Sequence, residues 1–173
     1  MRATWIAVGL FSSVAGMAAP TAVPAQPPRV RSAADSLLDH LTGLWQMDGN
    51  VRGKPVKYSL VVQRILRDRY VELHMIDLAT PPTYEARLIV GVDTSGNGYV
   101  AHWIDSFGAS YSVPPASGDA RGDTIRLTFP YPGNAFHDAL SWDRNTDTWS
   151  FSLDGTNAQG EPVPFARYSL KRR

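Results

Sequence analysis

The sequence predicts an all-β protein, an antiparallel up-and-down β-barrel of about nine to ten strands (lipocalin-like) with one short N-terminal helix. Three observations carry this. Gly43-Leu44-Trp45 stands between a short amphipathic stretch and a long series of alternating segments, where a glycine permits a tight entry into the first strand and an indole two residues on can plug one barrel end. From Leu44 onward apolar residues recur with period two, broken by turn signals. No later segment has the helical spacing that a parallel crossover needs, so the strands pair with their sequence neighbours as a meander, and closure removes the exposed edges.

Residues 1–25 read as an export signal, with a signal-anchor as the competing reading. Arg2 precedes an apolar run from Ile6 to Ala19, and Val23-Pro24-Ala25 supplies a small-residue cleavage site. The run is shorter than the roughly 18 residues a spanning helix requires. Cleavage after Ala25 takes 25 of the 173 residues and leaves 148, enough for one core. It also removes one of 17 basic residues, so the remaining 16 balance 16 acidic ones. That dispersed charge argues against nucleic acid and anionic membrane surfaces as partners, and Lys171-Arg172-Arg173 reads as a solvated terminus. With no cysteine there is no disulfide, no thiolate ligand and no acylation site, which points to a periplasmic or extracellular protein without membrane insertion once the signal is gone. Residues 26–31, with Pro27-Pro28, form an extended leader, and 32–173 form a single domain.

Within the domain, Ser32 followed by Asp35 resembles a capping box, and Leu37, Leu38 and Leu41 share one helical face, which predicts a helix over 33–41. Val56, Tyr58, Leu60 and Val62 share a strand face. So do Val71, Leu73 and Met75, then Tyr84, Ala86, Leu88, Val90 and Val92. Further strands are predicted at 99–107, 124–129, 139–142, 148–153 and 164–170. Turns are expected at 52–55, 67–68, 81–82, 93–98, 118–122, 130–133, 143–147 and 154–162. A barrel of this strand number leaves an interior that side chains only partly fill, so a ligand cavity is a geometric expectation; a filled barrel or a sandwich is the alternative.

Gly43-x-Trp45 behind a short helix, the meander, and Arg167 on the last strand together resemble the calycin superfamily of lipocalins and fatty-acid-binding proteins. Gly91-Val92-Asp93 and the run Gly98 to Ser106, with Trp103 and Asp105, are similar to a family of secreted bacterial lipocalin-like proteins carrying a G-Y-D and W-x-D-S pattern. The resemblance implies a structural role for Gly43, Trp45 and Arg167, with Arg167 packed across Trp45 as a cation–π pair. The lipocalin T-D-Y motif is absent.

On the 99–107 strand, Tyr99, Ala101, Trp103, Asp105 and Phe107 point one way, while His102 points the other, so His102 and Asp105 cannot form one acid-base pair from a regular strand. Asp105, between two aromatic residues on the inner face, is the leading polar candidate, with burial expected to raise its pKa. The competing reading has it bonding the backbone of the turn Ser106-Phe107-Gly108. His74 lies on the more polar face of its strand, His40 caps the helix, and His137 follows a turn near the expected mouth. No two histidines have metal-ligand spacing, none lies beyond His137 to serve a haem, and no G-x-S-x-G elbow is present, so no metal, cofactor or catalytic nucleophile is expected. The turn sequences Gly96-Asn97-Gly98, Asp93 to Gly98 and Arg121-Gly122-Asp123 lack the contexts that would make them dinucleotide, calcium or adhesion motifs.

The expected function is binding of a small, largely apolar molecule, with Trp103, Asp105, Phe107, Tyr111, Phe129 and Trp142 as the lining. Tyr58, Tyr131, Phe136, Trp149 and Phe151 belong to the same aromatic set, which core packing also requires. One alternative is a barrel-type isomerase or hydrolase using Asp105 or His74 as general base. Another is an envelope interaction module marked by an exposed apolar patch.

Overall fold

A computed structural model describes residues 33–93, 98–111 and 114–173. The expected signal, the leader and the Ser32 half of the capping box lie outside the described residues, as does 94–97 of the 93–98 turn. That turn is nevertheless closed by Asp93 N–H donating to the Gly98 carbonyl (2.8 Å).

One helix, α1 (Ala33–Leu41), precedes ten strands: β1 (Gly43–Val51), β2 (Lys54–Ile65), β3 (Tyr70–Asp77), β4 (Glu85–Val92), β5 (Tyr99–Asp105), β6 (Ala116–Arg121), β7 (Thr124–Phe129), β8 (Phe136–Asp143), β9 (Thr148–Thr156) and β10 (Pro162–Arg172). A short 3-10 turn, Ala109–Tyr111, lies between β5 and β6. Every strand pairs antiparallel with its sequence neighbours, and β1 pairs with β10 to close the barrel. The alternation read from the sequence places Tyr58, Leu60 and Val62, then Val71, Leu73 and Met75, then Ala86, Leu88 and Val90, in the buried interior. Each fully buried side chain of this size contributes about 1.5–3 kcal/mol.

The helix closes one end. Leu37, Leu38 and Leu41 are buried, and Tyr99 Oη donates to the Ala34 carbonyl (3.1 Å) from inside the wall. Arg64 on β2 reaches α1 through Asp39 Oδ1 (2.7 Å) and the Asp35 carbonyl (2.9 Å). Gly43 is required where α1 passes into β1: its φ is +138°, and a Cβ there would meet Arg172 Nη1 at 2.6 Å. Trp45 is fully buried and donates Nε1–H to the Leu41 carbonyl (2.8 Å).

The arginine across Trp45 is Arg172, 4.3 Å from the ring centroid, and not Arg167. Arg167 stands opposite Asn50, pairs with Asp154, and donates to the Leu153 carbonyl. The reason is strand parity. Between Ala166 and Arg172 the pairing is regular, so positions five apart fall on opposite faces, and Arg172 lies opposite Trp45. The terminal basic run is therefore in part structural.

β6 occupies most of the segment expected as a turn at 118–122. Its sequence, Ala-Ser-Gly-Asp-Ala-Arg, buries only Ala116, so it carries no alternating signal. Pairing makes the strand: five residues match β7, and a Cβ at Gly118 would lie 2.1 Å from the Arg126 carbonyl oxygen, an approach only glycine allows. β5 and β6 pair over just three positions, ending at Ala101 opposite Ala116, so Trp103 and Asp105 extend past the last pair.

Candidate functional site

The ends of the strands remote from α1 surround a cavity of about 860 Å³. Its wall is largely aromatic, and it reaches solvent between Arg52, Lys54, Thr83, Phe107 and Tyr111. Five of the six lining residues predicted from the sequence meet here: Trp103, Asp105, Phe107, Tyr111 and Phe129. Trp103 lies edge-on to Phe129 (6.4 Å), while Tyr84, Phe107 and Tyr111 form a continuous rim with centroid spacings of 5.5 and 6.0 Å.

Trp142 does not belong to the site. Its inward position on β8 falls at the helix end, where it stacks between His40 (3.9 Å) and Trp149 (6.2 Å) and donates to Asp147 Oδ1 (3.1 Å). Trp142 shares the inward parity of Leu140, but its height along the barrel depends on register.

Asp105 joins the site and the following turn at once. Oδ2 accepts from Tyr84 Oη and Trp103 Nε1 (3.2 Å each), and Oδ1 accepts from Phe107 N–H (3.0 Å). Asp105 thus lines the cavity as a half-buried group while also bonding the backbone of the following turn. The histidines stay outside the cavity wall. His74 pairs with Glu85 (2.6 Å), His102 is exposed, and His137 Nδ1 meets Thr128 Oγ1 (3.2 Å). Among the described residues no group of three or more His, Asp or Glu is placed to hold a metal.

To the aromatic set named from the sequence the structure adds Phe165 and Tyr168 in the cavity wall. Tyr58 and Tyr168 pack edge to face across the wall, with ring centroids 6.0 Å apart. Tyr131, Phe136 and Phe165 form a second aromatic run at 5.4 and 5.1 Å, with Arg52 over Phe165 (5.0 Å). Burial raises the phenols of Tyr58, Tyr84, Tyr131 and Tyr168 above their ordinary value, and the carboxylates of Asp77 and Asp105 add to this at Tyr58, Tyr84 and Tyr131.

The most informative addition is Asp138. It stands on the inward face of β8 between Phe136 and Leu140, is 3% exposed, lines the cavity, and its Oδ1 has no hydrogen-bond partner. Burial, and then the nearby Asp154 charge, push its carboxyl well above the usual carboxylate range. A signal was available: in Phe136-His137-Asp138-Ala139-Leu140, Asp138 is in phase with two apolar residues. The strand was expected to start at Ala139, which left the aspartate outside it, between the 130–133 turn and the strand.

No family model matches the chain, and no curated protein does. Among solved structures, the crystal structure of Rv2717c from M. tuberculosis is similar, with a TM-score of 0.57, 17% sequence identity, and coverage of 82% of this chain and 98% of that one. At that identity the likeness is one of fold, a barrel whose extent matches nearly the whole of its counterpart.

Proposed function

We propose that this chain is an exported, calycin-like barrel of the secreted bacterial lipocalin-like kind that binds a small, largely apolar molecule in its cavity. One observation carries the reading: the interior opposite α1 is a hollow of about 860 Å³ faced by aromatic side chains. That volume lies within the range of about 300–1,000 Å³ common to small-molecule sites. Trp103, Phe107, Tyr111 and Phe129 supply apolar contact, and Asp105, held by three donors, supplies a fixed polar edge. The Gly43-Trp45 opening and the ten-strand meander support the calycin resemblance. Cleavage after Ala25 and a periplasmic or extracellular location belong to the same reading.

Native mass spectrometry of protein purified from its own host tests it. The expected result is a protein lacking residues 1–25 and carrying a retained small molecule. Protein that retains nothing, and takes up no apolar naphthalene fluorophore displaceable by lipid extract of the culture medium, overturns it.

A barrel-type isomerase or hydrolase is a second reading, favoured by the presence of a buried acid, Asp138, in the same cavity as Asp105. It is the weaker one. Both oxygens of Asp105 are already engaged, and His74 is paired with Glu85 away from the cavity.

A further inference from the structure

Asp138 is an unusual residue to find in such a wall. A buried polar atom without a partner costs free energy, and a lone buried carboxylate costs far more, so natural interiors pair such groups or keep them neutral. Among the described residues no cation pairs with Asp138. Arg167, on β10, is engaged by Asp154 and by the carbonyls of Leu153 and Ala166. Asp138's cross-strand neighbours are Leu127 on β7 and Leu153 on β9, neither of which can hydrogen-bond through its side chain. An aspartate so placed is a neutral acid with a polar end facing the hollow, and the hollow's occupant is what can complete it.

The geometry points to Asp138 as the polar anchor of the cavity: a protonated carboxyl that donates a hydrogen bond to an uncharged acceptor, a carbonyl oxygen, on an otherwise apolar and aromatic-sized ligand. This rests on the cavity being a binding site and goes further, because it names the ligand's functional group. The lining cations Arg52 and Lys54 stand exposed at the rim, and at the depth of Asp138 the surroundings favour a neutral acceptor over an anion. Asp154 lies close enough to Asp138 to disfavour further negative charge, and Asp105 shares the cavity. They also favour a carbonyl on a flat ring system, since Trp103, Phe129, Tyr131 and Phe136 present ring faces and edges around the same space.

The test uses matched naphthalene probes on the exported protein, with affinities from tryptophan quenching: 2-acetylnaphthalene, the hydrocarbon 2-ethylnaphthalene, the anion 2-naphthoate and the cation 1-(2-naphthyl)ethylammonium. The ketone is expected to bind about tenfold more tightly than the hydrocarbon, the worth of one buried hydrogen bond. The infrared carbonyl band of the bound ketone should move to lower wavenumber. Asp138→Asn keeps a neutral donor, so it should retain most of the preference and the band shift. Asp138→Leu should abolish both while binding the hydrocarbon at least as well as wild type.

A ketone preference that survives Asp138→Leu, or tightest binding of the naphthoate or the ammonium to wild type, overturns the anchor. Hydrocarbon binding with no ketone preference also removes the anchor and leaves the binding reading standing. Exclusion of every probe, hydrocarbon included, removes both. Should Asp138→Leu not fold, the wild-type preference and the Asp138→Asn spectrum decide alone.

Discussion

Arg172 lies over the ring of Trp45 while donating to the carbonyls of His40 and Thr42 and to Asp147 Oδ2 (3.0, 3.1 and 2.6 Å). One guanidinium thereby ties the C-terminal end of α1 to the first strand, the last strand and the β8–β9 turn. A planar cation with several fixed donors suits this better than a lysine. Replacing Arg172 with alanine should lower stability by about 2–3 kcal/mol, since it removes a cation–π contact and leaves helix carbonyls without a partner. Arg167→Ala, which breaks a partly exposed ion pair, should cost about 1 kcal/mol. Urea unfolding of the two variants checks the order, and equal losses would contradict this assignment.

The two ends of the barrel should separate in mutagenesis. Trp142→Ala should cost about 2–3 kcal/mol of stability through the lost His40 and Trp149 stacking, and leave the affinity for an apolar fluorophore unchanged. Trp103→Leu should weaken that affinity about tenfold. A loss of affinity in Trp142→Ala with the fold intact would return Trp142 to the site.

Asp138 should make stability fall with rising pH. Tyr131, Tyr168 and Asp154 surround it, and the folded state holds its proton more tightly than the unfolded chain, whose carboxyl titrates near 3.8. Its contribution is therefore fully present below that value and is lost as pH rises from there through the folded value, at up to about 1.4 kcal/mol per pH unit. Asp138→Asn should remove this component, so the stability difference between variant and wild type should widen between pH 4 and pH 7. A difference that is flat across this window would show that Asp138 is not buried as a neutral acid.

Two glycines near one hairpin should respond unequally. Gly118→Ala forces a Cβ into the Arg126 carbonyl and should cost about 2–4 kcal/mol, with β6 displaced from β7. Gly122→Ala meets open space and only a positive φ of +57°, so it should cost about 1 kcal/mol. Thermal unfolding of both variants distinguishes them, and similar losses would argue against a close strand approach at 118.

Period and punctuation made most of this barrel legible in the sequence. The leucines of α1 and the alternating apolar runs of β2, β3 and β4 report burial directly, because each of those elements faces the interior with one side. Three features went unread for specific reasons. β6 has one buried side chain and exists through its hydrogen bonds to β7, which leave no mark in its own composition. Arg172 rather than Arg167 meets Trp45 because closure sets β10 against β1 in a register no local pattern reveals. Asp138 violates alternation by placing an acid where an apolar residue belongs, and such violations are where function departs from packing.

The β5–β6 junction has a consequence for where the wall opens most easily. With three matched positions it is the shortest of the ten junctions; the next, β6 with β7, has five, and β5 keeps seven with β4 on its other side. Parting that seam sacrifices the least hydrogen bonding in the wall, and it runs beside Trp103 and Asp105. Local opening of the barrel costs least beside these two residues, while nine junctions keep the cylinder intact.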